Sequence, residues 1–338
     1  MNSGVPSPWI RRPIAITVLL VACILVPVVG PLALIVALMA DLIRRDRGIR
    51  YTRSFLVVAL LLLVQLAGLI MTVVIWALAP LGYSMHRERV QNQYRYLMRW
   101  WGSQLFRVLR ICLPLELDYS QLDPALLDGN AIVIGRHRSL CDAILPAVIF
   151  GTDQKYVRYT LKEDLRWEPS IDIVSHFMSH RFITRSPADL EAELAPIREL
   201  GSRIDEDAVA VIFPEGTFFS EKRKAQVLRS LERKDPSHAE AARNMNYLLP
   251  PRPAGTLALM EGAPTADIIV LGHVGYEPYG TVRQIFSHLG QKQRITVRAW
   301  RYPRDSVPIS ESARIEWLFD RWSELDRWVT EEHRSNSQ

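Results

Sequence analysis

The chain has 338 residues, of which 49% are apolar, enough for one large domain or two ordinary ones around a sizeable core. A formal charge of +5 is modest for that length, and the arginines are scattered rather than clustered with aromatics, which argues against a nucleic-acid footprint but leaves an anionic partner open. Three widely spaced cysteines, Cys23, Cys112 and Cys141, with no CxxC, argue against a disulfide framework or a zinc site and fit a reducing compartment.

In chain order, two stretches, 13–43 and 54–82, carry almost none of the charge found elsewhere. Each exceeds the roughly 20 residues needed to cross a bilayer. Pro27, Gly30 and Pro31 interrupt the first, so a re-entrant hairpin competes with one kinked span. A cleaved signal peptide fits poorly, because the run is long, lacks a small-x-small end and is followed by a second apolar segment. The expected organisation is a membrane-anchoring segment over 1–83 and a second domain over 84–338. Arginine counts do not orient it. The linker holds Arg44, Arg45, Arg47, Arg50 and Arg53, and the outer flanks hold Arg11, Arg12, Arg87, Arg89 and Arg95.

A Trp- and Arg-rich stretch at 94–110 predicts a helix near the membrane surface. Beyond it, β-type runs alternate with helical ones. Residues 131–135, 155–161, 208–213, 267–274 and 294–300 predict buried strands, and 139–150 and 187–203 predict helices. The expected class is α/β, a mainly buried central sheet flanked by helices, preceded by the hydrophobic helical segment. A C-terminal amphipathic helix is expected at about 311–333, where Trp317, Leu318, Trp322, Leu325 and Val329 form a stripe that reads as a packing face. In such folds sites collect in the loops beyond strand ends.

Three such stretches stand out. "GRHRSLCD" (135–142) sets His137 and Asp142 five positions apart as a strand gives way to a helix. There the pair can act as base and orienter, or His137 can be a turn residue and Asp142 a helix cap. "AVAVIFPEGTFF" (208–219) runs from a buried strand into a turn holding a carboxylate and free amides. "HRFITRS" (180–186) places Arg185 after two apolar residues.

In this order and spacing the blocks resemble the glycerolipid, or lysophospholipid, acyltransferase family, with "LLPPRPAG" (248–255) in the place of its proline-containing block. The C-terminal helix resembles that of the branch containing 1-acylglycerol-3-phosphate (lysophosphatidate) and lysocardiolipin acyltransferases. The resemblance makes 84–338 an acyltransferase domain. It implies transfer of a fatty acyl group from acyl-CoA or an acyl carrier protein thioester to the free hydroxyl of a lysophospholipid, with 1-acyl-glycerol-3-phosphate as the leading acceptor.

As the resemblance implies, His137 is the base and Asp142 its orienter, and Arg185, Glu215, Gly216 and Thr217 shape the acceptor site. The thioester is a substrate, and neither cofactor nor metal is required. The expected partners are the lipid bilayer, the lysophospholipid and the thioester donor, without nucleic acid. Because that donor is cytosolic and no Asn-x-Ser/Thr site is present, the catalytic domain is expected to face the cytosol from an integral or monotopic membrane protein.

Two positions depart from the family pattern. Arg136 stands where Asn is usual, and Phe218 stands where Arg often follows Glu-Gly-Thr, leaving Arg185, with Lys162, Lys222 or Arg223, for an anionic headgroup. These departures support a competing expectation, a catalytically silent lipid-binding scaffold that keeps the fold; a third is a hydrolase that uses the pair on water. Ser139 and Cys141 are not expected to be nucleophiles. His176 and His180 share helix spacing but lack a third metal ligand.

Overall fold

The computed structural model describes residues 5–79, 88–151, 155–169, 171–173, 181–183, 190–204 and 208–336. The interrupted apolar stretch forms one continuous helix, α1 (Pro8–Ile43), with Pro13, Pro27 and Pro31 inside it. The second stretch forms α2 (Arg50–Leu78). The turn of the hairpin therefore lies between the two stretches, not within the first. Buried Asp41 builds that turn by accepting hydrogen bonds from the backbone of Tyr51 and Thr52 and from the Thr52 hydroxyl. Both helices are long and apolar enough to cross a membrane, and only 11% and 17% of their most apolar windows are buried. A core helix of a water-soluble domain would bury such a surface.

Several contacts among the described residues tie this hairpin to the rest of the chain. At the start of α1, Arg11 and Arg12 grip the same buried carboxylate, Asp172, at 2.5 and 2.6 Å. At the α1–α2 corner, Gly48 packs so closely on Gly290 that a Cβ on Gly290 would meet the Gly48 carbonyl oxygen at 2.4 Å. Beside it, Tyr51 meets Phe286 edge to face. Along α2 lies α3 (Glu88–Cys112), which buries Val90, Tyr94 and Leu97.

The remainder is an α/β domain. Its strands are β1 (Leu115–Gln121), β2 (Ala131–Gly135), β3 (Tyr156–Lys162), β4 (Arg181–Ile183), β5 (Ala208–Ile212), β6 (Asp267–Val274) and β7 (Gln293–Tyr302). They form one sheet in the order β1-β7-β6-β2-β5-β3-β4, with only β6 and β7 antiparallel. β2 and β5 are buried on every residue because both faces are covered, which is why they read as unbroken apolar runs. Ile132 and Ile134 face one core cluster, and Ala131 and Val133 face the other.

The first cluster is roofed by α5 (Leu190–Ser202), α8 (Pro253–Gly262) and the C-terminal α10 (Glu311–Ser335). Leu318, Trp322, Leu325 and Val329 of the C-terminal stripe are buried in it. The second cluster is roofed by the short helix α4 (Ile144–Phe150) and the end of α3. At the margins lie α6 (Glu221–Lys234), which packs Leu231 on the first cluster, α7 (Pro236–Asn244), and α9 (Val282–His288), which packs Ile285 and Phe286 on the second.

The register places the site. Ile134 of β2 pairs with Ile212 of β5, and Gly135 pairs with Leu271 of β6. Three parallel neighbours thus end on one edge of the sheet, and the segments that follow them meet there.

Candidate active site

Leaving β2, the chain makes a single turn of 3-10 helix, Leu140–Ala143, before α4. Ser139 caps it by accepting from the Cys141 amide. Asp142 completes the reciprocal half of this capping box, accepting from the Ser139 amide at 2.6 Å, from the Ser139 hydroxyl at 2.8 Å and from the Arg138 amide. The same carboxylate lies 3.3 Å from His137 Nδ1, measured from Oδ2. The two sequence readings of the pair, cap and orienter, are one geometry. Burial alone would push the Asp142 carboxyl up, but His273, His137 and the Ser139 amide outweigh it and hold it below its ordinary 3.8.

With Nδ1 turned to Asp142, Nε2 is the nitrogen His137 has left to offer. Its side chain keeps 13% exposure and lines a cleft of about 680 Å³. The rest of that lining is mostly apolar, with Leu161, Leu165, Leu194, Ile197, Ile212 and Phe213 prominent. Phe213 stacks on the imidazole at 4.5 Å between centroids, and Phe218 tilts against it at 4.4 Å. The residue standing where Arg is usual therefore helps to clamp the ring. An apolar cleft carrying one oriented imidazole can hold an alkyl chain and take a proton from a hydroxyl beside it.

The predicted substrate residues divide. Gly216 lines the cleft in a left-handed conformation (φ 67), with its amide bonded to the Phe213 carbonyl. Thr217 is half-buried beside it and is not part of the cleft wall. Glu215 is 1% exposed and also lies off the wall. Its carboxyl straps two segments together, accepting from the His137 amide at 2.7 Å and from the Leu249 amide at 2.9 Å. Burial pushes it up to about 8. Leu249 is fixed in turn by Trp322, whose indole donates to its carbonyl, and Asp326 accepts from the amides of Asn246, Tyr247 and Leu248. The C-terminal helix thus supports the proline-containing block.

Arg185, His176 and His180 lie outside the described residues. Lys162 ends β3, and Arg223 on α6 donates to the Phe218 carbonyl at 3.0 Å. Among the described residues no cluster of His, Cys, Asp and Glu is arranged to hold a metal ion.

Sequence reasoning missed two contributors. Arg136, the other departure, is 1% exposed and donates to the His273 carbonyl and, at 2.9 Å, to Glu277. Glu277 also receives His333 of α10 at 3.3 Å. Burial opposes its charge, yet His333 and Arg136 hold its carboxyl far below the usual range. His273 itself reaches Asp142 from β6. Its signal was an ionisable residue near the end of the apolar run "DIIVLGHV".

Residues 116–260 match the family model described as Acyltransferase. Among solved structures the chain is similar to the crystal structure of the 1-acyl-sn-glycerophosphate (LPA) acyltransferase PlsC from Thermotoga maritima. That similarity covers 80% of this chain and 98% of that one, at 14% sequence identity and a TM-score of 0.48. No curated protein matches the chain.

Proposed function

We propose, from the match of residues 116–260 to the Acyltransferase family model, that the protein moves a fatty acyl group from a coenzyme A or carrier-protein thioester to the free hydroxyl of a lysophospholipid, 1-acyl-glycerol-3-phosphate first among acceptors. The observation that carries this reading is the His137 imidazole, backed by Asp142 at 3.3 Å and opening on an apolar cleft of about 680 Å³. His137 takes the acceptor's hydroxyl proton as its oxygen attacks the thioester carbonyl. The C–S bond then breaks, and the imidazolium returns the proton to the departing thiolate, leaving an ester and a free thiol. Asp142 holds the tautomer and supports the imidazolium charge between those steps. Backbone amides of the surrounding turns receive the oxyanion. Arg136 and Phe218 do not separate His137 from Asp142, so they favour neither a silent scaffold nor a hydrolase.

The same reading places α1 and α2 within one leaflet. A helix of 36 residues is about 54 Å long, yet α1 meets the catalytic domain near its start, through Asp172, and at the corner that follows it, through Gly290. A helix spanning the bilayer would leave one of those ends on the far side. A hairpin with every polar end on one face imposes no charge difference between linker and flanks, and their equal arginine counts fit it.

A lysolipid panel with radiolabelled palmitoyl-CoA tests the reaction. Transfer requires the acceptor, hydrolysis releases free acid without it, and a scaffold does neither. Arg185→Lys, assayed on the same panel, tests the headgroup assignment. Selective loss with lysophosphatidate supports it, and native activity with every acceptor contradicts it.

A further inference from the structure

Asp142 faces two imidazoles, and only one of them reaches the cleft. His137 Nδ1 stands 3.3 Å from Oδ2, while His273 Nε2 stands 3.2 Å from Oδ1, both at ion-pair distance though off hydrogen-bond alignment. His273 is 1% exposed, lies one residue before the end of β6, and is absent from the cleft wall. Its place follows from strand alternation. Ile269 and Leu271 turn into the core cluster that contains Cys141 and Leu145, and His273, two residues on, turns the same way, toward the 3-10 turn. A buried imidazole on a strand of Ile, Val and Leu is costly unless a partner compensates it. Burial holds His273 below the ordinary histidine range, and a neutral ring facing a carboxylate carries its proton on the facing nitrogen. The Arg136 guanidinium, bonded to the His273 carbonyl and to Glu277, locks this end of β6 to the residue just before His137.

We infer that His273 is a positioning residue for acyl transfer: with the Ser139 hydroxyl it holds Oδ1 of Asp142, so that Oδ2 is presented to His137. The inference rests on the acyl-transfer reading above. It adds a third residue, from a distant strand, to what was a local pair, making a His-Asp-His array in which only His137 meets substrate.

His273→Leu removes the donor and keeps an apolar side chain in the pocket, whereas His273→Gln returns an amide N–H near the position of Nε2. The measurement is steady-state transfer from palmitoyl-CoA to 1-oleoyl-lysophosphatidate in matched membranes, with each substrate varied in turn. His273→Leu should lower kcat roughly 10- to 100-fold, the scale for a lost polar contact to a charged group behind a reacting side chain. KM for donor and acceptor should stay native, His273→Gln should recover most of the loss, and His273→Leu should add little on an Asp142→Asn background. Native kcat in His273→Leu overturns the inference. So do equal losses in Leu and Gln, because a packing role is indifferent to the donor. The two readings fail separately. Absence of transfer by the native protein contradicts the acyl-transfer reading; the contact is then read from the unfolding midpoints of Asp142→Asn, His273→Leu and the double variant, where additive shifts overturn it.

Discussion

Asp142 Oδ2 accepts the Ser139 backbone amide at 2.6 Å while lying 3.3 Å from His137 Nδ1. One oxygen therefore caps a helical turn and orients an imidazole. A cap is satisfied by Asn about as well as by Asp, but the support of an imidazolium needs the charge. Here Asp142→Asn keeps one acceptor oxygen but turns an amide NH2 toward the donors on the other, so it should lower the unfolding midpoint as well as lowering acyl transfer severely, which a thermal scan and an activity assay on one preparation will read together.

Arg136 should prove structural. Removing one member of a buried ion pair leaves the other uncompensated, at a cost of about 3–5 kcal/mol. Arg136→Met is expected to destabilise the domain on that scale, and adding Glu277→Gln should return part of the loss. Denaturant unfolding of the two single variants and the double checks this; additive losses would contradict direct coupling between Arg136 and Glu277.

Glu215 should make stability fall with rising pH. Its folded value, about 8, is above its ordinary 4.5, so the folded state binds the extra proton between those values. The stability this contributes is fully present below about pH 4.5 and is lost as pH rises through about 8. The unfolding midpoint of the native protein should decline across that window. In Glu215→Gln, which has no proton to lose, the decline should be shallower, and parallel profiles for the two proteins would contradict the assignment.

The hairpin should leave all of its polar ends on one side of the membrane. Single cysteines at Arg47 and at Ser335, in a background where Cys23, Cys112 and Cys141 are replaced by serine, should react with a membrane-impermeant maleimide from the same face of sealed vesicles of known sidedness. Labelling of the two positions from opposite faces would contradict an in-leaflet hairpin.

Five strands were legible in the sequence, β2, β3, β5, β6 and β7, and three of them are covered on both faces. β2, β5 and β6 are buried along nearly their whole length, so no polar alternation dilutes the run. β1, "LELDYSQ", is an edge strand with exposed polar positions, and β4 is a three-residue edge, so neither carries an apolar signal. Pro27, Gly30 and Pro31 suggested a break where α1 runs through. Gly30 lies against Phe55 of α2 so closely that a Cβ would sit 3.1 Å from its ring, which makes the small residue a packing feature rather than a break. The pair His137 and Asp142 was readable because both lie in one short turn. His273 was not, because its approach depends on the β2–β6 register, which sets Gly135 beside Leu271 across more than a hundred residues of chain.

The central claim is that His137 and Asp142 act as one unit on an acceptor hydroxyl, and acceptor-dependent transfer by the native protein, His137→Ala, Asp142→Asn and the double variant in matched membranes tests it most directly. A positioned general base contributes about 10² to 10⁴ in rate, so His137→Ala should fall by that order with membrane attachment intact. Asp142→Asn should also fall severely, and the double variant should be little worse than His137→Ala, since residues acting together give losses that do not add. Near-native transfer by Asp142→Asn, or losses that multiply in the double variant, would contradict the account.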